Sequence, residues 1–356
     1  VGKDGQGRGF EEGRRPLEGD LPVREKIPMK PPVHVVCACN SGYIMPLCVM
    51  LSSLADHFNK ERELVIHVLN SDSTQELRDN VTKSIEAVWP KPNNVTVNWY
   101  KVELPTFAIK QVRRHTMDVF SRYYAPYLLP QDIKHVFYLD CDIVLQHDIS
   151  EVYDSVADSP HVLHAVQDLT CPWISSQQGV FDYKERGIPP NTPYFNSGVL
   201  IMNLPRWREI DLTNRLTDYI EQNGPRINEA DQGALNALVW DDWGKLDQRW
   251  NTHSSLSVAS NRIETGLSKA EWRKLRLHPY LIHYTADKKP WMKGVVFPRY
   301  SYFYHYLDKT PYKGTIPHRP TLEDKLGPRL YYHVWNFLRQ LPRPNRAPAP
   351  AATAKA

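Results

Sequence analysis

No run of 18 or more apolar residues occurs in the 356-residue chain, which excludes a membrane-spanning helix. The opening stretch, VGKDGQGRGFEEGRR, is polar and glycine-rich without an apolar segment, so no signal peptide is expected. Cysteine is scarce: five residues, an odd number, do not make a disulfide framework. Cys37 and Cys39 alternate within an apolar run and are expected as buried, reduced thiols on one strand face, in keeping with a reducing cytosol. Two glycosylation triplets, Asn80-Val81-Thr82 and Asn94-Val95-Thr96, matter only in a secreted chain. Neither sign of charge dominates, since 44 Lys and Arg against 40 Asp and Glu leave +4 and no nucleic acid is expected as partner. No internal repeat is visible, and collagen-like, coiled-coil and acidic disordered classes are excluded. Proline, by contrast, is plentiful at 29 residues and concentrated at both ends, which predicts a poorly ordered segment over 1–32 and a disordered tail over 347–356.

Between those ends the pattern alternates. Val33 to Cys39, Leu64 to Leu69 and Val95 to Val102 read as strands, with helices over Met45 to Phe58 and Thr74 to Val88 between them. Ser73 or Thr74 is placed to cap the second helix, with Glu76 in its first turn. That alternation predicts a parallel sheet with crossover helices. A helix near Met117 to Leu128 leads to His135 to Leu139, an apolar central strand. Strands at Val162 to Val166 and Val199 to Met202 and helices at Arg206 to Gln222 and Asp231 to Val239 follow. The Gly- and Pro-rich stretch Leu169 to Pro193 reads as a lid or acceptor-binding loop, or as a plain surface insertion.

Chemistry gathers at strand ends. Asn40 and Asp140 each follow an apolar strand, the place where open α/β sheets bind ligands. Asp140 and Asp142 flank a single residue, so alternation puts both carboxylates on one side. Such a pair repels itself unless a cation intervenes, and its oxygens suit Mn²⁺ or Mg²⁺. Farther on, His283 follows the apolar Leu281-Ile282, with Lys289 six residues later, a metal ligand followed by a diphosphate contact. Asn196 and Ser197 precede an apolar strand with groups able to hydrogen-bond sugar hydroxyls. Asp231-Gln232 opens a helix, where a carboxylate is favoured, and Arg122 sits on the helix before the central strand.

Taken in order, Tyr138-Leu139-Asp140-Cys141-Asp142, Phe195-Asn196-Ser197-Gly198, Asp231-Gln232 and His283 through Trp291 resemble glycosyltransferase family 8 over about Val33 to Trp291. The resemblance implies a GT-A fold, with a Rossmann-like, mostly parallel central sheet flanked by helices. The domain is expected over 33–300, with a C-terminal helical extension over 301–346. It further implies transfer of a hexose, glucose or galactose, from a UDP-sugar with retention of configuration, dependent on Mn²⁺ or Mg²⁺, onto a glycan or glycolipid such as lipopolysaccharide. By the same resemblance Asp140, Asp142 and His283 hold the metal, Lys289 meets the diphosphate, and Asn196, Asp168, Asp231 and Gln232 surround the transferred sugar. Arg122 lies near the donor, Tyr43 meets the uridine, and Asn40 stands where the family often has an acidic residue against the uracil.

Two other readings stay open on the sequence. Asp140-Cys141-Asp142-Ile143-Val144 also resembles the nucleophile motif of haloacid-dehalogenase-type phosphatases, with Asp241-Asp242 as the one candidate for their later acidic pair. The second is an inactive nucleotide-sugar-binding protein. Residues 329–346 combine four arginines with tyrosine, tryptophan, phenylalanine and leucine and no acid. They read as a peripheral contact on the inner membrane face or as a helix docked on the domain.

Overall fold

Strand β1 (Val33–Cys39) sends alternate side chains to opposite faces: Val33, Val35, Cys37 and Cys39 enter one core layer and Val36 the other. The same division holds in β4 (His135–Leu139), where Phe137 and Leu139 face one layer and Val136 and Tyr138 the other. A strand covered on both faces must be apolar at nearly every position, which is why these stretches read as unbroken runs rather than alternating ones. Each buried aliphatic side chain contributes about 1.5–3 kcal/mol, so the two layers carry most of the fold's stabilisation. The computed structural model describes residues 1–2, 30–103, 117–257, 266–285, 289–292 and 299–316.

The remaining strands of the main sheet are β2 (Leu64–Asn70), β3 (Val95–Lys101), β6 (Leu163–Gln167), β7 (Phe195–Asn203) and β8 (Trp243–Lys245). Their order is β3-β2-β1-β4-β7-β6-β8. Pairings β1–β2, β2–β3, β1–β4 and β6–β8 are parallel, as the βα alternation predicts. Strand β7 departs from that pattern, running antiparallel to both β4 and β6. Its link from β6 is the loop over 168–194 and contains no crossover helix, so nothing forces the parallel direction. A second sheet of three short strands, β5 (Ile143–Leu145), β10 (Leu281–His283) and β9 (Thr252–His253), stands in the order β5-β10-β9.

Helix Ile44–His57 fills the first crossover and helix Gln75–Glu86 the second; Thr74 caps the latter by accepting from the Leu77 N–H at 3.4 Å. The stretch expected as one helix over Arg206 to Gln222 is two, Leu204–Glu209 and Leu212–Asn223. Asp211 between them adopts a left-handed conformation (φ 50°), which ends the first and turns the chain into the second. Helix Tyr300–Leu307 packs Tyr300, Phe303, Tyr306 and Leu307 against Val49, Val144, Ile282 and Tyr284, so the start of the C-terminal extension is docked on this body. Residues 3–29 and 317–356, including the basic aromatic stretch and the Ala-Pro tail, lie outside the described residues. Among the described residues no helix is long and apolar enough to cross a membrane.

Candidate active site

The ends of β1, β4, β6 and β10 and the start of β7 meet at one crevice. Asp140 follows β4 directly and donates its backbone N–H to the Gly198 carbonyl of β7 at 2.9 Å. Asp142 leads into β5, whose antiparallel register with β10 sets His283 opposite Ile143. Register in the small sheet therefore carries His283 across 140 residues of sequence to the carboxylate pair. The three side chains each offer one ligand atom within 4.8 Å of the others. His283 Nε2 lies 3.2 Å from Asp142 Oδ1 and 3.7 Å from Asp140 Oδ2. A Cβ added at Gly198 would stand 2.4 Å from Asp140 Oδ2 and 2.4 Å from the His283 ring, so the strand must carry glycine where it passes the triad. Two carboxylates and an imidazole on a cradle closed by backbone fit a divalent cation.

Two cations stand over these acids. Lys289 Nζ approaches Asp142 Oδ2 at 2.6 Å and donates to the Tyr284 carbonyl at 2.8 Å. Burial opposes ionisation of Asp142, yet Lys289 and His283 outweigh it and hold the carboxyl well below the usual carboxylate range. Lys289 is also buried, which favours its neutral form, but Asp142 overcomes this and raises its pKa. Arg122, 3% exposed, donates from Nη2 to Asp140 Oδ1 at 3.0 Å and from Nη1 to the Ser197 carbonyl at 2.6 Å, and reaches Asp231 Oδ2 at 3.2 Å. Its guanidinium lies over the Tyr138 ring at 4.2 Å, and the Tyr138 hydroxyl donates to Asp140 Oδ1 at 2.8 Å.

Beyond the triad the polar groups form one connected network. Asn196 Nδ2 donates to Gln232 Oε1 at 2.9 Å and to Asp168 Oδ2 at 3.2 Å. The Ser197 N–H reaches Gln232 Oε1 at 3.1 Å, and its hydroxyl donates to Asp231 Oδ2 at 2.9 Å. Helix Ala230–Leu238, which supplies Asp231 and Gln232, is locked to β7 by the fully buried Asn236. That side chain accepts from the Phe195 N–H and donates to the Phe195 carbonyl. Asp168 follows β6; burial raises its pKa, but His253 and the Thr170 hydrogen bonds outweigh that and keep it low.

The cavity these groups enclose measures about 290 Å³. Asn40, Tyr43, Arg122, Asp140, Asp142, Asn196, Ser197, Asp231, Gln232, His283 and Lys289 line it, and Asp168 stands directly behind Asn196 and Gln232. Tyr43 packs edge-on against Trp291 with ring centroids 5.9 Å apart. Its loop is tied down by Ser41, whose N–H and hydroxyl both donate to Asp72 at 2.8 Å. Asp241 and Asp242, required by the phosphatase reading, are not among the lining residues. Asp242 instead faces His161 at 3.4 Å and Arg206 at 3.5 Å. All five cysteines are free and buried, and Cys39 and Cys141 reach the cavity wall.

Three residues here carry little signal of their own in the sequence. Tyr138 is legible only as part of a motif, although its hydroxyl holds Asp140. Asn251 donates from Nδ2 to Asn196 Oδ1 at 2.8 Å while its Oδ1 faces His283 Nδ1 at 2.9 Å. His253 sets Nδ1 at 3.9 Å from Asp168 Oδ1 and its ring edge-on to His283. An isolated asparagine and histidine after Trp250 carry no periodic or spacing signal; only the pairing of β9 with β10 brings them in.

The sequence model of glycosyl transferase family 8 matches residues 34–294. General stress protein A of Bacillus subtilis (strain 168) is 25% identical over 286 residues, which covers 78% of this chain and 94% of that one. The lipopolysaccharide 1,2-glucosyltransferase of Escherichia coli (strain K12) is 22% identical over 291 residues, 80% of each chain. Among solved structures, the galactosyltransferase LgtC in complex with donor and acceptor sugar analogs superposes with a TM-score of 0.62 at 20% identity. The match covers 82% of this chain and 99% of that one and bears out the GT-A fold expected from the sequence.

Proposed function

The chain belongs to glycosyl transferase family 8, and from that membership we propose that it moves a glucose or galactose from a UDP-sugar to a glycan or glycolipid acceptor, with Mn²⁺ and with retention of configuration. The observation that carries the proposal is the Asp140, Asp142 and His283 cluster, set in the same crevice as Arg122, Asp231 and Gln232. When bound there, Mn²⁺ would stabilise the negative charge that develops on the departing diphosphate. Lys289, held at the edge of the cluster, adds a second positive charge for that diphosphate. Tyr43 and Asn40, at the end of β1, take the uridine side of the cavity.

Asn196, Asp168, Asp231 and Gln232 take the sugar. Hydrogen bonds among Asn196, Asp168 and Gln232, and from the Ser197 hydroxyl to Asp231, fix these groups before the ligand arrives, so little reorganisation is required when hydroxyl groups replace solvent. The glycosidic C–O bond to the diphosphate breaks, the acceptor oxygen joins the anomeric carbon from the same face, and the acceptor proton passes to the leaving phosphate. Gln232 carries a neutral amide and serves to orient rather than to attack. The loop over 169–193, fastened by Asn228 Nδ2 to the carbonyls of Gln177 and Gly179, is assigned to the acceptor side. Residues 329–346 are assigned to contact with the membrane that would carry a glycolipid acceptor, on the cytoplasmic face.

The test is UDP release from a panel of UDP-hexoses with and without Mn²⁺. Release from one donor, dependent on Mn²⁺ and lost in Asp142→Ala, supports the proposal. Tight UDP binding with no release from any donor, alone or with candidate glycans, overturns it in favour of a nucleotide-sugar-binding protein.

A further inference from the structure

We infer that Asn251 is the positioning residue for His283, holding the imidazole with its proton on Nδ1 and Nε2 bare toward Asp140 and Asp142; the inference rests on the metal reading of that cluster. The polarity of the network can be followed from two ends whose roles are fixed by chemistry. A backbone N–H only donates, so Asn196 Oδ1, 3.0 Å from the Gly198 N–H, accepts. The ionised Asp168 carboxylate only accepts, so the Asn196 group 3.2 Å from Asp168 Oδ2 is Nδ2. Both ends give Asn196 the same orientation.

Asn251 meets Asn196 Oδ1 at 2.8 Å and must offer its own Nδ2 there. Its other end, Oδ1, therefore faces His283 Nδ1 at 2.9 Å, and a carbonyl oxygen can only accept. The proton of the neutral ring lies on Nδ1. In that neutral form, the one a metal ligand takes, Nε2 directs its lone pair at Asp142 Oδ1, 3.2 Å away, and Asp140 Oδ2, 3.7 Å away. A lone pair facing two carboxylates is repulsive unless a cation lies among them, so the tautomer that Asn251 imposes is the one a metal ligand needs. Neither the isosteric acid nor an apolar side chain of similar size serves as well at this buried position: aspartate would accept from His283 but could not donate to Asn196, and leucine would do neither. The metal ligand and the sugar-facing amide are thereby joined through one side chain.

Two measurements on the full chain test this. The first is ¹⁵N NMR of the metal-free protein, histidine-labelled and held at alkaline pH, with the His283 signals identified by their absence in His283→Gln. The Nδ1–H form is expected; the Nε2–H form overturns the inference without any change at Asn251. The second is titration with Mn²⁺ alone, followed by the free-ion EPR signal. Asn251→Asp, which keeps the acceptor for His283, is expected to bind within about three-fold of wild type, and Asn251→Leu to bind 10–100-fold more weakly, the usual range for losing such a partner. Equal binding by Asn251→Leu and wild type, or equal losses in both variants, overturns the positioning role. A wild type that binds no Mn²⁺ overturns the metal reading itself, and the NMR result then decides the tautomer independently.

Discussion

Arg122 Nη2 stands 3.0 Å from Asp140 Oδ1 while its Nη1 stands 3.2 Å from Asp231 Oδ2, so one buried guanidinium joins the carboxylate pair after β4 to the helix that opens at Asp231. Burial disfavours its charge, but Asp231, Tyr138 and Asp140 outweigh that and hold it more firmly protonated than usual. Replacing Arg122 with Met keeps much of the volume and removes the cation that both acids face. A loss of roughly 3–5 kcal/mol in unfolding free energy is expected, the range for removing one partner of a buried ion pair. Arg122→Lys is expected to recover only part of it, because a compact ammonium lacks the planar fork with which the guanidinium spans both acids. Urea unfolding of the three proteins measures this, and a loss below about 1 kcal/mol in Arg122→Met would contradict the bridging role.

Gly198→Ala tests the closeness of the backbone to the triad. The added methyl would lie 2.4 Å from both Asp140 Oδ2 and the His283 ring, so the ligands must move apart or the strand must shift. Overpacking of this kind costs about 1–3 kcal/mol, which a sheet buried on both faces can absorb. The expected result is a folded protein whose Mn²⁺ affinity and UDP release both fall at least about ten-fold, given that a site tolerates displacements of only about 0.5 Å. Undiminished Mn²⁺ binding in Gly198→Ala would show that the metal sits elsewhere.

Acid sensitivity should begin well above the carboxylate range. His67 is buried on β2 between His34, whose Nδ1 is 3.1 Å from His67 Nε2, and the Tyr100 hydroxyl at 3.2 Å. Burial first, and His34 second, lower its pKa from the ordinary 6.5 to about 4. The unfolded chain therefore takes up this proton before the folded one. Stability from the neutral ring is complete above pH 6.5 and is lost as the pH falls toward about 4, on the order of 3 kcal/mol in all. The urea midpoint should fall between pH 7 and 4.5, more steeply in wild type than in His67→Gln. Parallel profiles for the two proteins would contradict this assignment.

What the sequence makes legible follows physical signal strength. Strands β1 and β4 coincide with their expected ranges because burial on both faces leaves continuous apolar runs. Asp140 and Asp142 stand out because two carboxylates at the end of such a run are conspicuous. The small sheet is harder to see: β5, β9 and β10 have two or three residues each, too few for any period to register. The direction of β7 is invisible for another reason, since a strand buried on both faces has the same composition in either orientation. Asn251 belongs to the same class of hidden residue. Its importance comes from the partners that β7 and β10 bring to it, Asn196 and His283.

Lys289 offers a prediction with an unexpected sign. Its ammonium lies 2.6 Å from Asp142 Oδ2, on the carboxylate whose other oxygen faces His283 Nε2 at 3.2 Å, so the lysine and a cation share one carboxylate. Two unit charges about 4 Å apart interact by about 4 kcal/mol at the effective dielectric near a protein surface, so removing this one is expected to raise cation affinity by at least about ten-fold. Lys289→Ala is therefore expected to bind Mn²⁺ alone more tightly than wild type. The same substitution removes the charge assigned to the donor diphosphate, so UDP affinity in the presence of saturating Mn²⁺ should fall, and donor turnover with it. Calorimetric titration with Mn²⁺, and then with UDP, separates the two effects. Parallel weakening of both would mean that Lys289 orders the metal site rather than competing for it.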